Sequence, residues 1–145
     1  MANPIVPILG KTGTLSIGAT PTVIAGIKHI AHTGNKIDTE DVTDLSTPSI
    51  DKIFMATLRD NGSISIDGNY LPTDPGQAAL AAAYGSAANT PFVVTYPIES
   101  GAVTATKDAF SGIVTSWNVD LQFEKYVTFK AEIKVSGAIT TTLGA

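Results

Sequence analysis

The sequence predicts a mainly β protein, an antiparallel β-barrel or sandwich with one short α-helix at about residues 75–84 and a long loop at about 33–51. Strict alternation of apolar and polar residues over 127–136 indicates a strand with one face on a core and the other in water. A single Ala-rich segment, bounded by Pro75 and Gly85, is the only helical signal. The length of 145 residues fits one domain, with residues 1–11 as an extended N-terminal arm and 138–145 as a short C-terminal tail.

The composition fits either a protein whose surface is largely covered by other subunits or a soluble domain with few charges. Charged residues make up only 15% of the chain, against a usual value of about 25%. The formal charge of −4 argues against tight binding to nucleic acid, which needs clustered Lys and Arg. The chain contains no Cys. We expect neither a signal peptide nor a membrane-spanning segment, because the start lacks the required pattern and no apolar run approaches ~18 residues.

The first third of the chain predicts an arm, two strands and a loop. Pro4 and Pro7 block regular structure in the arm. Strands are expected at 12–18 and at 22–30, which is rich in Val and Ile. The span 33–51 is polar, acidic and aperiodic and contains Pro48, and loops of that length in a compact domain are usually functional or disordered.

The middle of the chain predicts a buried strand, a turn and a half-buried strand. Residues 53–58 are almost continuously apolar, which predicts a strand covered on both faces. The sequence Asp60-Asn61-Gly62 predicts a turn, because Asn and Gly accept positive φ at low cost. Residues 63–70 then alternate, with Ile64 and Ile66 on the apolar side.

The helix has a predicted beginning, end and apolar face. Thr73 or Asp74 can accept an unpaired backbone N–H as the N-cap, and Pro75 suits the first helical position. Gly85 is the expected stop. Leu80 and Tyr84, four residues apart, are expected to pack the helix onto the sheet.

The last third of the chain predicts three strands, at 92–98, 109–123 and 125–136. In the last of these, the predicted core face holds Val127, Phe129, Ala131, Ile133 and Val135. The Thr-rich segment 138–145 is expected to be loose.

Motifs that would carry chemistry are incomplete, so no enzyme, cofactor or metal site is predicted. Gly10-Lys11-Thr12 lacks the earlier Gly of a phosphate-binding loop. His29 and His32 do not make a metal site by themselves, since structural zinc requires four ligands. The acidic run at 38–44 lacks the Gly and the closing Glu of a calcium loop, so hydrated loop charge explains it better.

Four segments in order resemble the major tail tube proteins of long-tailed (siphovirus-type) bacteriophages. Residues 13–18 resemble the first strand of that family, and 37–48 resemble its long loop. Residues 58–80, with Asp74-Pro75-Gly76-Gln77, resemble its strand, turn and helix, as in the N-terminal domain of the phage lambda tail tube protein. Residues 110–117 and 127–137 resemble its final hairpin.

The resemblance implies a structural virion protein of the tail tube type. Such subunits form a β-barrel shared by six copies, and the hexameric rings stack by self-assembly into the conduit for DNA ejection. The implied partners are the protein itself and the tape measure, tail terminator and tail tip proteins, while DNA passes through the lumen without specific binding. The implied location is the virion tail, after assembly in the host cytoplasm.

Two segments are hypothesised to make contacts between successive rings. The long loop is too polar for a core yet carries isolated apolar residues, as interfaces do. Its hypothesised contact residues are Asn35, Lys36, Ile37, Asp38, Thr39, Glu40, Asp41, Val42, Thr43, Asp44 and Leu45. The N-terminal arm is the second hypothesised contact, through Pro4, Ile5, Val6 and Pro7.

Two other functions stay open at this level. One is the inner tube of a contractile injection system or a gene transfer agent, which the sequence separates poorly from a phage tube. The other is a monomeric β-sandwich binding module, which usually displays exposed aromatic residues on loops. Trp117 lies within a predicted strand and Tyr126 at a predicted strand start, which argues against the binding module.

Overall fold

The structure is a computed structural model that describes residues 9–46, 50–99 and 101–145. A 3-10 turn at Gly10–Thr12 precedes seven strands and one helix. In chain order these are β1 (Thr14–Ile17), β2 (Thr22–Val23), β3 (Ile27–Asp41), β4 (Phe54–Asn69), α1 (Pro75–Ser86), β5 (Thr90–Thr95), β6 (Lys107–Asp120) and β7 (Thr128–Thr142). The mainly β fold with one helix is therefore confirmed.

The seven strands form one antiparallel sheet in the order β2-β1-β5-β6-β7-β4-β3. Complete closure into a barrel is not found, since β2 and β3 are the two edges of the described sheet and do not pair with each other. The two edge strands do not match in length, because β2 has only two residues, whereas β3 has fifteen residues and about half of them project from the body. The sheet nevertheless curls, since residues of β1, β3 and β5 line one common cavity.

The core lies inside the curled sheet and is built as the alternation along β7 predicts. Phe129 and Ile133 are 0% exposed, and Ala131 and Val135 are buried beside them. Each fully buried Phe or Ile contributes about 1.5–3 kcal/mol relative to an exposed position. Trp117 packs on Phe129 with ring centroids 5.3 Å apart. This single core extends from β1 to β4 and fixes the body from which the exposed segments project.

Helix α1 closes one side of the core and begins as predicted. Asp74 is the N-cap, and its carboxylate accepts hydrogen bonds from the backbone N–H of Gln77 at 2.9 Å and of Ala25 at 3.1 Å. Gly76 packs against the chain between β2 and β3, where a Cβ would lie 2.5 Å from the carbonyl oxygen of Val23. The helix passes through Gly85 and ends at Ser86, with Ala87 as the left-handed cap at φ 53°. The predicted stop at Gly85 is thus two residues before the observed cap.

Gln77 is buried and joins three segments of the chain through its side-chain amide. Its Oε1 accepts from the N–H of Leu71 at 2.8 Å, and its Nε2 donates to the carbonyl oxygens of Ala25 at 2.7 Å and Asn69 at 2.9 Å. These bonds tie the end of β4 and the link between β2 and β3 to the helix. The Asp-Pro-Gly-Gln segment therefore acts as a structural junction.

Replacing this amide is expected to destabilise the protein strongly. Gln77→Leu keeps the volume but leaves three backbone groups of Ala25, Asn69 and Leu71 without their partner, and each buried unpaired group costs about 1–3 kcal/mol. We expect a loss of at least about 3 kcal/mol in the free energy of unfolding, measured by urea denaturation. Gln122→Leu is the matched control, because the Gln122 side chain is exposed and donates to the exposed side chain of Asp120, two residues away. Equal stability of the two variants would contradict the junction role.

Several predicted boundaries are corrected by the structure. The strand expected at 22–30 is two strands, separated at Gly26, where φ is +81°. The segment 138–145 is not a loose tail, because β7 continues to Thr142. The N–H of Gly144 then donates to the hydroxyl of Thr106 at 3.0 Å. Residues 1–8 of the expected N-terminal arm lie outside the described residues, and the predicted extended conformation ends before residue 11, because Gly10–Thr12 form a 3-10 turn.

Candidate assembly surface

The long loop expected at 33–51 is mostly a β-hairpin that projects from the body. Strands β3 and β4 pair from Ile27↔Gly68 out to Asp41↔Phe54, whereas β4 pairs with β7 only from Ser63 onward. Residues 35–61 therefore lack a further neighbour in the described sheet, and we call this segment the arm. Nine residues of β4 from Phe54 to Gly62 give it a reach of about 30 Å at 3.3 Å per residue.

Glycines at positive φ mark the place where the arm leaves the sheet. Gly34, Gly62 and Gly137 have φ values of +84°, +75° and +84°. A Cβ on Gly62 would lie 2.1 Å from the carbonyl oxygen of Thr33, so the two strands of the arm approach too closely there for any side chain. The expected turn at Asp60-Asn61-Gly62 is thus wrong. The positive φ that the sequence signalled serves an irregularity inside β4 instead.

A polar cluster fixes the arm to β7 at the same level. Lys134 Nζ lies 2.6 Å from Asp60 Oδ1, and the Asn61 side-chain amide donates to the carbonyl oxygen of Gly137 at 2.6 Å. The hydrogen bond from Lys134, with a second from the N–H of Gly62, holds the pKa of Asp60 below its ordinary value. His32 Nε2 lies 2.5 Å from the carbonyl oxygen of Asn61, a geometry in which the ring nitrogen donates. These bonds set the direction of the arm.

Two glycine variants at the arm root are expected to separate close packing from backbone strain. Both Gly62→Ala and Gly137→Ala place a side chain at positive φ, which costs about 1–2 kcal/mol. Only Gly62→Ala also meets backbone, because nothing lies within 4 Å of a Cβ on Gly137. We expect Gly62→Ala to lower the free energy of unfolding clearly more than Gly137→Ala, measured by chemical denaturation. If Gly137→Ala destabilised the protein more than Gly62→Ala, the close approach of the two strands at Gly62 would be contradicted.

The arm exposes large apolar side chains on both of its faces. Phe54 and Met55 are neighbours on opposite faces of β4 and are 56% and 60% exposed, and Leu58 is 78% exposed. The strand at 53–58 was expected to be covered on both faces, and within a single subunit that expectation is wrong. The described arm residues that are large, apolar and exposed are Ile37, Val42, Leu45, Ile50, Ile53, Phe54, Met55 and Leu58. A patch of this extent marks an interaction surface.

The outer part of the arm also carries a charge equal to that of the whole chain. Residues 38–53 contain five carboxylates and one lysine, which equals the formal net charge of −4. At the end of the arm, the hydroxyl and N–H of Thr43 hydrogen-bond Asp41 and hold the pKa of its carboxyl below the ordinary value. The N–H of Val42 donates to the carbonyl oxygen of Ile53 at 2.9 Å. The arm is therefore an acidic, apolar and hydrogen-bonded projection.

The hypothesised contact residues 35–45 all lie on this projection. Residues 35–41 belong to β3, residues 42–45 begin the connection beyond it, and all of them are exposed. The structure adds their partner strand, 54–61, which begins within the run 53–58 that sequence reasoning assigned to the interior. The available signal was the position of that apolar run directly after an acidic span. Pro4, Ile5, Val6, Pro7 and Pro48 lie outside the described residues.

The helix contacts are only partly as expected. Leu80 is 0% exposed and lies in the core with Ala83. Tyr84 does not share that position, since it is 47% exposed. The buried residues of α1 are Gly76, Gln77, Leu80 and Ala83.

A second exposed apolar cluster lies on the connection between β6 and β7. Leu121, Phe123 and Tyr126 are 78%, 91% and 88% exposed. We call these three residues the base cluster. Tyr126 was expected at a strand start, but β7 begins at Thr128. The sequence predicted no exposed aromatic residues on loops, but Phe123 and Tyr126 are exposed on this connection.

A cavity of about 480 Å³ lies between β3 and the strands β1 and β5. It is lined by the buried Ile64 and Phe110 and by the exposed Lys11 and Lys28, among other residues. Nearby, the hydroxyl of Tyr96 donates to Asp108 at 2.7 Å, which raises the pKa of Tyr96 to about 12. Within the described residues, no group of three or more His, Asp or Glu side chains could hold a metal ion. No helix in the same residues is long and apolar enough to cross a membrane.

The fold is similar to that of proteins in known tubes. A chain in the virion of a native gene transfer agent particle superposes on this one with a TM-score of 0.73 and 17% identity. The match covers 94% of this chain and 99% of that chain. It matches the SPP1 tail tube with a TM-score of 0.71 and 14% identity, over 96% of this chain and 80% of that one. A chain of the PVC sheath-tube complex, from an extracellular contractile injection system, matches with a TM-score of 0.67 and 10% identity, over 94% and 92%. No family model and no curated protein matches the sequence.

Proposed function

We propose that this protein is a structural subunit of a tube of the phage tail type. The observation that carries the proposal is a projecting arm with apolar residues exposed on both faces, on a fold shared with chains of three tube-bearing particles. An isolated subunit gains nothing from this exposure. Burial against neighbouring copies would remove the apolar surface from water, at about 25 cal/mol per Å².

In this proposal, six copies form a ring by continuing the sheet from one subunit to the next. The outer side of β3 is an unpaired edge, and the short β2 leaves much of β1 uncovered at the opposite edge. Exposed strand edges are templates for pairing with another chain. A closed ring of subunits would leave no edge free and would complete the barrel that one chain does not close.

Stacking of rings is assigned to the arm. Residues 35–45 and their partner strand would reach a subunit of the adjacent ring, which lies beyond the body in the direction of the arm. Such contacts are heterologous and do not close, and they extend the assembly into a filament. Pro4, Ile5, Val6 and Pro7 are proposed as additional ring contacts.

The proposed role of the tube is to conduct DNA from a virion into a host during ejection. A conduit must not hold the DNA, so its wall should be neutral or acidic, which the charge of −4 permits. The proposed partners are further copies of the chain, together with tape measure, tail terminator and tail tip proteins. The proposed location is the virion tail, after assembly in the host cytoplasm.

Assembly of the purified protein tests the proposal. Negative-stain electron microscopy at increasing protein concentration is expected to show rings of six subunits and then tubes, with sedimentation reporting the loss of monomer. Protein that remains monomeric at high concentration, in every salt and with preformed tube ends added as nuclei, would contradict it. A stable monomer that retains sugars or peptides would support a β-sandwich binding module instead.

The inner tube of a contractile injection system or of a gene transfer agent is the second candidate. It is favoured by fold similarity to the injection-system and gene-transfer-agent chains that is comparable to the similarity to the phage tail tube. The two candidates differ in what surrounds the tube and what it carries. Tubes isolated with a contractile sheath would select the injection system, and bare tubes attached to DNA-filled heads would select a phage-type tail.

A further inference from the structure

We propose that the base cluster, Leu121, Phe123 and Tyr126, is the surface on which the arm of a second copy docks. The inference rests on the proposed function and names the partner surface of the arm. It concerns residues that neither the family resemblance nor the predicted contacts single out.

The arm and the base cluster lie at opposite ends of the same strand ladder. Along β4, the arm occupies the end at Phe54, and the other end, Asn69, pairs with Thr128 of β7. Thr128 in turn pairs with Asp120 of β6, so the connection 121–127 begins where the ladder ends. Fifteen steps of β4 separate Phe54 from Asn69, a path of about 50 Å at 3.3 Å per residue.

This placement is the one that head-to-tail association requires. A heterologous contact joins two different surfaces, and growth along one direction needs them at opposite ends of the subunit. The arm is the projecting surface at one end. At the other end, the base cluster presents three large apolar side chains that are each more than three-quarters exposed. Burying them against the apolar residues of the arm would remove both patches from water together.

The base cluster lies on a turn whose backbone conformation is restrained by hydrogen bonds. Glu124 has φ +61°, a conformation that a non-glycine residue keeps only when its surroundings enforce it. The N–H of Lys125 donates to the carbonyl oxygen of Gln122 at 3.3 Å, and the Gln122 side chain donates to Asp120 at 2.7 Å. The N–H of Tyr70 donates to the carbonyl oxygen of Val127 at 2.9 Å, which joins the turn to the end of β4. A surface held before binding loses less conformational entropy on docking.

The charges around the base cluster allow an acidic arm to approach. The segment 119–130 holds Asp120 and Glu124 against Lys125 and Lys130, so its formal charge is zero. The outer arm is strongly acidic, and an acidic partner surface would repel it. The base cluster has no such excess of acidic charge. Its aromatic Tyr126 lies next to Lys125 in sequence, a combination that fits an interface with an apolar centre and a charged rim.

Engineered cysteines test this contact directly, because the chain has no cysteine of its own. One variant carries Met55→Cys on the arm, and the other carries Phe123→Cys in the base cluster. An equimolar mixture assembled into tubes and oxidised is expected to give a disulfide-linked dimer. Met55→Cys mixed with Tyr84→Cys is the matched control, because Tyr84 is an exposed aromatic residue of α1 and should give at most a background amount.

Competing contacts give different crosslinks. A crosslink between Met55→Cys and Lys28→Cys would place the arm at the cavity between β3 and β1. A crosslink between Met55→Cys and Leu143→Cys would indicate a side-by-side contact. Either crosslink, found without the one to Phe123→Cys, overturns the inference. Tubes of normal order whose Phe123 mixture gives only background also overturn it, and leave the proposed function intact. Wild-type protein that never assembles overturns both.

A second measurement does not depend on cysteine geometry. Phe123→Ser with Tyr126→Ser is expected to keep the unfolding midpoint of the wild-type protein, because both side chains are exposed in the subunit. The double variant should form rings but lose at least ten-fold in the amount of tube at a fixed concentration. Tyr84→Ser is the control and should assemble normally. Normal tube yield from the double variant would contradict docking at the base cluster.

Discussion

A chain in which residues 38–58 are replaced by Asn-Gly is expected to fold normally and to form no tubes. The replacement cuts the arm short after the pair Ile37↔Arg59 and closes it with a two-residue turn, for which Asn-Gly is the preferred sequence. All the residues of the buried apolar core lie outside the removed segment. We therefore expect an unfolding midpoint close to that of the wild-type protein, with monomers or isolated rings as the end state in electron microscopy.

The size of the effect follows from what the arm exposes. Removal takes away most of the large exposed apolar residues of the arm together with its acidic charges. Loss of a contact that each subunit makes with the next ring would act at every step of growth, so tube formation should disappear rather than weaken.

A point variant controls for the deletion. Phe54→Ser with Leu58→Ser keeps the arm at full length and changes only exposed side chains, so it should also fold normally and assemble poorly. Tyr84→Ser, a change of an exposed aromatic residue on α1, should leave tubes intact. Tubes of normal length and order from the shortened chain would move the ring contact elsewhere, with the segment around Pro4 and Pro7 as the next candidate.

Leu80→Asp is expected to prevent stable folding. Leu80 is 0% exposed in the core, so the new carboxylate would be buried without a partner and the apolar contacts of a leucine would be lost. Loss of the leucine packing alone costs about 2–5 kcal/mol, and a domain of this size has about 5–15 kcal/mol of stability in total. We expect insoluble or unfolded protein, detected by circular dichroism and by the yield of soluble protein.

Tyr84→Asp is the matched control, because the same residue is introduced four positions later on the same helix. Tyr84 is 47% exposed, so an aspartate there stays in contact with water and should cost no more than about 1 kcal/mol. If both variants fold with wild-type stability, α1 is peripheral to the core. If both unfold, the helix buries a wider face than the structure describes.

Much of the body could be predicted because local chemistry and tertiary environment agree there. Around β7, alternation alone selected Val127, Phe129, Ala131, Ile133 and Val135 as the core face. The last four are buried, whereas Val127 lies before the strand and is only half-buried. At the helix, the capping oxygen of Asp74 and the fixed φ of Pro75 determine the beginning of α1 whatever surrounds it. Such signals are local, and the sequence by itself determined these elements together with the mainly β class.

The arm was decided only by the tertiary structure. Residues 35–41 are polar apart from Ile37 and lack a strand period, so their strand exists because β4 lies beside them and supplies the hydrogen bonds. The apolar run at 53–58 suggests a buried strand by its composition. Whether it is buried depends on β7, which pairs with β4 no further than Ser63↔Lys134 and leaves the run exposed on the arm. Composition records which residues must leave water, but the chain topology decides whether the subunit covers them or exposes them for another copy.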